Sequence, residues 1–323
     1  MTIINNPPKD EWKELLARPA LEAESLHDAV GAVIREVREK GDDALRALTQ
    51  RFDGVSTGAL AVTPEEFSEA ELSLDDALKN AIQLAHQNIY RFHITQKTKE
   101  DRVETMPGVW CWRKSVAIDK VGLYIPGGNA PLFSTVLMLG VPAKIAGSRE
   151  IVLCTPPQKN GQVHPAVLFA ASVAGISRVF KVGGAQAIAA MAYGTASIPQ
   201  VYKIFGPGNQ YVNCAKSLVQ SNVAIDMPAG PSEVCVLADE TANPCYVAAD
   251  LLSQAEHGAD SQVLLVTTSA PLAEKVKAEV EKQLGPLGRR DLAEGALSRS
   301  RIVVMDNMEE ATEMVNEYAP EHL

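Results

Sequence analysis

The chain reads as an α/β protein with two parallel sheets in tandem behind a mainly helical N-terminal region, the second sheet incomplete. Three observations predict this. Residues 9 to 103 keep helical spacing of apolar positions, short apolar runs alternate with helical segments from residue 120 onward, and the loops that close the first runs are rich in Gly and Pro. The expected boundaries are 1–119 for the helical region, 120–232 for the first sheet domain and 233–323 for the second. A chain of 323 residues exceeds what one core usually serves, which supports more than one domain.

In the helical region, Thr63, Pro64 and Glu66 form a capping box with proline at the first helical position, a specific helix start. Leu74, Leu78, Ala81, Ile82, Ala85, Ile89 and Phe92 then keep one helical stripe. His86 and His93 stand two turns apart there and read as polar-face or interface residues, because no carboxylate or thiol lies at ligand spacing.

The first sheet is expected from strands at 121–126, 150–154, 178–184, 203–205 and 223–227, with helices near 132–146, 164–174, 185–194 and 208–220. The second takes strands at 233–239, 262–268 and 301–306, with helices ending at 257 and covering 271–284 and 308–318. In open α/β sheets, ligands bind beyond the carboxyl ends of strands. The loops there read YIPGG, VGGAQA, FGPGN and MPAGPSE. Any one of these is a tight turn; four on one edge, each able to bring backbone amides close to a phosphate, predict a ligand edge. The dinucleotide fingerprint is absent, since GPGNQY has Tyr211 where the third glycine belongs. The loops alone predict an α/β enzyme for a nucleotide or sugar phosphate.

Residues 249–258, ADLLSQAEHG, read as the end of an amphipathic helix: Leu251 and Leu252 face a core, Gln254 and His257 stand i,i+3, and Gly258 stops the helix. A histidine one turn from a carboxamide can ligate a metal or orient a polar substrate, although a lone His at a helix end more often caps or faces solvent.

Hydrophobic content of 46%, charged content of 22% and a mean hydropathy of -0.03 describe a globular protein. A net charge of -10, with no cluster of Lys and Arg on any predicted face, argues against nucleic acid and anionic membrane as partners and toward a small molecule. Cys111, Cys154, Cys214, Cys235 and Cys245 are scattered and odd in number, and read as reduced core residues. The start lacks a secretory pattern, and the apolar run VLMLGVPAKIAG is broken by Pro142 and Lys144, so the expected location is cytoplasmic.

The segments VGLYIPGGNAPLFSTVLML, VGGAQAIAA, KIFGPGN, AIDMPAGPSEV and LLSQAEHG, in that order and spacing, with PEHL at the end, resemble the histidinol dehydrogenase family. The resemblance implies two Rossmann-like domains, a homodimer, and oxidation of L-histidinol through an aldehyde to L-histidine with two NAD+ on one zinc-bound substrate. By the same resemblance Gln254 and His257 match zinc ligands that also contact substrate, and Ser232 matches a substrate-contacting serine. Tyr124, Gln186 and Asn209 match positions that hold NAD, and Glu321 and His322 match the catalytic pair. Without the family, adjacent Glu and His at a chain end read as an ordinary surface pair.

The family's chains continue past PEHL and place an aspartate and a histidine there as two further zinc ligands. This sequence ends one residue after His322, so the resemblance implies a shortened second domain, weak or absent zinc and little or no turnover. Two other expectations stay open: a catalytically silent NAD-binding or dimerisation module, and an unrelated α/β phosphate-binding enzyme.

Overall fold

Local signals set where most elements begin. The computed structural model, which describes residues 1–18, 23–127, 131–227 and 232–323, runs in chain order through β1 (Thr2–Asn5), α1 (Trp12–Leu15), α2 (Ala23–Lys40), α3 (Asp42–Asp53), α4 (Pro64–Ser73) and α5 (Asp76–Ile94). A hairpin of β2 (Arg102–Met106) and β3 (Val109–Trp112) follows, then β4 (Lys120–Tyr124), α6 (Phe133–Ala146), β5 (Glu150–Thr155), α7 (Pro165–Val173), β6 (Arg178–Lys181), α8 (Gly184–Tyr193), β7 (Lys203–Phe205), α9 (Gln210–Val219) and β8 (Ala224–Ile225). The chain closes with β9 (Glu233–Ala238), α10 (Pro244–Ala255), β10 (Gln262–Thr267), α11 (Ala270–Leu284), α12 (Arg290–Ser298), β11 (Arg301–Val304) and α13 (Met308–Tyr318). The capping box forms as its residues dictate: Glu66 N–H donates to Thr63 Oγ1 and Thr63 N–H to Glu66 Oε2.

The chain divides into two units, Glu22–Pro228 and Met1–Leu21 with Ala229–Leu323. In the first, a parallel sheet runs in the order β6-β5-β4-β7-β8. Chain order reverses at β4, whose two neighbours are β5 and β7. This is the switch point at which loops diverge and leave a crevice. Buried Val30, Ile34, Leu45 and Leu48 of α2 and α3 share one core with Ile188 and Val212, while Ile82 of α5 and Val167 of α7 belong to the core on Leu123 and Leu153. The expected helical region 1–119 is therefore no unit of its own. Helices α2 to α5 bury their apolar faces within the cores of the first sheet, whereas Trp12 of α1 is buried with Leu264 and Val303 of the other.

In the other unit the parallel sheet runs β1-β11-β10-β9. Strand β1 was not expected; Thr2–Asn5 pairs with Arg301–Val304 and adds a fourth strand to the three predicted. The hairpin and α12 were not expected either. The cysteine expectation holds for Cys154, Cys214 and Cys235, which are buried, while Cys111 and Cys245 are exposed and all five are free. Among the described residues, no helix is long and apolar enough to cross a membrane.

Candidate active site

Strands β4, β5, β6 and β7 end on one edge, and the loops that follow them line a cavity of about 1150 Å³. Tyr124 closes β4, Gln186 lies in the first turn of α8, and Asn209 precedes α9; all three line this cavity, with Gly127, Pro156 and His164. Of the loops predicted to form the edge, Gly128 of the first and residues 228–231 of the fourth lie outside the described residues.

Each wall residue is held by its surroundings. Tyr124 is 4% exposed, and its hydroxyl accepts the N–H of Gly184 at 3.0 Å. Burial pushes its phenol up to about 12, so it stays neutral and keeps its own proton to donate. Gln186 is 1% exposed, an unusually deep carboxamide. Asn209 Oδ1 accepts from the N–H groups of Tyr211 and Val212, both at 3.1 Å, and so caps α9, leaving its NH2 group for other partners. The loop before it is pinned from below. The buried Lys216 ammonium donates to Gly206 O at 2.9 Å and pairs with Asp226, whose Oδ2 accepts from Gly206 N–H at 2.8 Å. Gly206 itself has φ +134°, and a Cβ there would lie 2.1 Å from the carbonyl oxygen of Tyr124.

The other five candidates all belong to the other unit, with Ser232, Glu321 and His322 at the start of β9 and Gln254 and His257 at the end of α10 and just beyond it. Helix α10 leaves the carboxyl end of β9 and returns along that strand, and Ser232 precedes β9. Ser232 O accepts from the N–H of Gln262, the first residue of β10. Glu321 and His322 lie against the same end of β9. Glu233 N–H donates to Glu321 Oε2 at 3.3 Å, His322 Nδ1 meets Glu233 O at 3.0 Å, and Cys235 N–H donates to His322 O at 2.9 Å.

Two details differ from expectation. Helix α10 ends at Ala255, so His257 lies beyond it in a turn in which its N–H reaches Gln254 O at 3.2 Å. Gly258 does not take the left-handed conformation of a helix stop. Gln254 is half-buried and His257 exposed, and among the described residues no group of three or more His, Cys, Asp and Glu could hold a metal ion. One imidazole and one neutral carboxamide fall short of the three or four ligands a zinc site requires.

The family model for histidinol dehydrogenase matches residues 16–323. The chain belongs to the histidinol dehydrogenase family. Relatives of that name include one from Bacteroides thetaiotaomicron, 61% identical over 324 residues that cover 100% of this chain and 76% of the relative, and one from Xanthomonas euvesicatoria at 54% identity. The crystal structure of histidinol dehydrogenase from Elizabethkingia anophelis superimposes with a TM-score of 0.95 at 50% identity, covering 100% of this chain and 75% of that one. Membership makes the chain a dehydrogenase of histidine biosynthesis that acts on a small-molecule substrate.

Several residues of this histidinol dehydrogenase family member were not legible as site residues. His164 caps α7 through Nδ1, which accepts Ala166 N–H at 3.1 Å, and faces the cavity; the His-Pro pair before an apolar run was its only signal. Asp53 ends α3 on the cavity wall with Oδ2 buried and unpartnered, and burial pushes its carboxyl up. Nothing local marked it.

Proposed function

We propose that the chain serves the oxidation of L-histidinol through the aldehyde to L-histidine with two NAD+ in succession, and that the cavity of the Glu22–Pro228 unit receives the dinucleotide. The observation that carries this reading is the convergence of Tyr124, Gln186 and Asn209, from three separate loops, on one cavity at the switch point of a parallel sheet. NAD+, when bound, supplies the acceptor for the hydride. The Tyr124 hydroxyl, the Gln186 carboxamide and the free Asn209 NH2 then offer fixed polar contacts in a largely apolar wall.

His322 is the proton acceptor for the alcohol. Its Nδ1 faces a carbonyl, which only accepts, so the neutral ring carries its proton there and leaves the Nε2 lone pair open. Glu321 takes a proton from the water that adds to the aldehyde, and Ser232 contacts the substrate. The active species is a cytoplasmic homodimer.

Zinc is a different matter. Among the described residues no group of three or more His, Cys, Asp and Glu stands beside Gln254 and His257 to hold zinc, and no step is assigned to the metal. On the donors among the described residues, a second reading is that the chain binds NAD or pairs with a second copy and turns over little or nothing. The test is NADH formation by purified chain given L-histidinol, NAD+ and added zinc, beside a calorimetric titration with NAD+. Histidinol-dependent NADH sinks the silent reading. Absence of turnover in folded protein that still binds NAD+ supports it, and failure to bind NAD+ overturns the assignment of the cavity.

A further inference from the structure

Arg18 makes more polar contacts than any role yet described requires. Its guanidinium donates from Nε and Nη2 to the two carboxylate oxygens of Glu233, the latter at 3.0 Å, and Nη2 also reaches the carbonyl oxygens of Tyr318 at 2.7 Å and Ala319 at 3.3 Å. The guanidinium carbon lies 4.8 Å from the ring centroid of Tyr318. A second link closes the ring: Tyr318 hydroxyl donates to Gln262 Oε1 at 3.0 Å, and Gln262 Nε2 donates to Ala17 O at 3.1 Å. Residues 17 and 18 thus clamp the end of α13 where the chain turns off the helix at Ala319, a non-glycine residue with φ +46°.

That turn delivers Glu321 and His322. Both hang on the backbone of Glu233, whose N–H, C=O and neighbouring Cys235 N–H make the three contacts that hold the pair. The Glu233 residue is 6% exposed, and Arg18 is the cation that neutralises its carboxylate. One guanidinium therefore fixes both ends of the segment: the strand residue on which the pair rests and the helix end from which it emerges.

We infer that Arg18 is a positioning residue for Glu321 and His322, setting through Glu233 and the carbonyls of Tyr318 and Ala319 the ring orientation in which His322 keeps its proton on Nδ1. The inference rests on the reading of that pair as the proton-handling groups. Lysine cannot replace it, because a point ammonium cannot span a bidentate carboxylate and two carbonyls at once.

The test uses the full chain labelled with 15N-histidine and compares wild type, Arg18→Met and Arg18→Lys, with His322→Gln to assign the signal. In wild type the His322 ring nitrogens show the Nδ1–H tautomer. In both Arg18 variants the expected result is a mixed tautomer, with amide exchange at Glu233 and Cys235 faster by about tenfold or more while Val263 and Leu265 in the sheet centre keep their protection. A merely structural loss would instead move all four amides together and overturn the inference. An unchanged tautomer with unchanged exchange at Cys235 in either folded variant also overturns it. Should Arg18→Met fail to fold, Arg18→Lys, which keeps the charge, carries the comparison. Since no readout depends on turnover, an inactive wild type with the expected tautomer refutes only the catalytic reading.

Discussion

The hydroxyl of Tyr124 accepts the backbone N–H of Gly184 across the mouth between β4 and α8. The bond uses the oxygen and spares the proton, so one buried phenol fixes a loop and still offers a donor to whatever fills the cavity. Tyr124→Phe keeps the ring and loses both functions. The expected outcome is a stability loss of about 1 kcal/mol and an NAD+ affinity weaker by roughly fivefold, read by thermal melts and calorimetry. Equal affinity in the two proteins would remove Tyr124 from the dinucleotide site.

Gly206 passes closer to Tyr124 than any side chain permits. Gly206→Ala forces a methyl onto the Tyr124 carbonyl at 2.1 Å and leaves a non-glycine residue at φ +134°. Strain and overpacking together predict a loss on the order of 3 kcal/mol, measured by denaturant unfolding.

Asn209 separates a cap from a contact. Asn209→Ala removes the acceptor for two helix N–H groups and costs about 1 kcal/mol. Asn209→Asp keeps that acceptor and places a charge favourably at the helix start, so stability holds. It loses the NH2 donor, so NAD+ affinity falls in both variants. Full affinity in the aspartate variant would make Asn209 a cap and nothing more.

Asp53 predicts a pH dependence whose sign is fixed by burial. Its carboxyl is held above the ordinary carboxylate range, so between the unfolded and folded pKa values the native state binds the extra proton and stability falls as pH rises. Above the folded pKa the full penalty is present. Asp53→Asn therefore raises the melting temperature near pH 7, and the gain shrinks toward about pH 4. A variant less stable than wild type at neutral pH would mean that the carboxylate has a partner.

Metal content is the direct check on Gln254 and His257. After dialysis with zinc, elemental analysis of intact chain should find well under one zinc per chain, because the two donors supply one nitrogen and one weak neutral oxygen. Stoichiometric zinc lost in both Gln254→Ala and His257→Ala would show that other groups complete the site around them.

The resemblance singled out Tyr124, Gln186 and Asn209 from motifs in separate loops, and the topology brings those loops to one cavity because each follows a strand of one parallel sheet. The five candidates of the other unit were equally legible as residues but not as a place. The carboxyl-edge rule describes the first sheet, whereas Ser232, Glu321 and His322 lie at the start of β9, against which the tail after α13 is held, and Gln254 and His257 follow from the return of α10 along its own strand.

By itself the sequence determined the alternation of strand and helix, the capping box at Thr63, the apolar faces and the absence of a standard fingerprint, since each is a pattern among residues near one another in the chain. Only the tertiary structure decided that Thr2–Asn5 pairs with Arg301–Val304, that α2 to α5 pack within the cores of the first sheet, and that Arg18 grips Glu233 and the end of α13. Those are contacts across some two to three hundred positions, or the choice of one apolar face among several. They follow from which buried surfaces and charges find partners once the chain is compact, and no local periodicity records them.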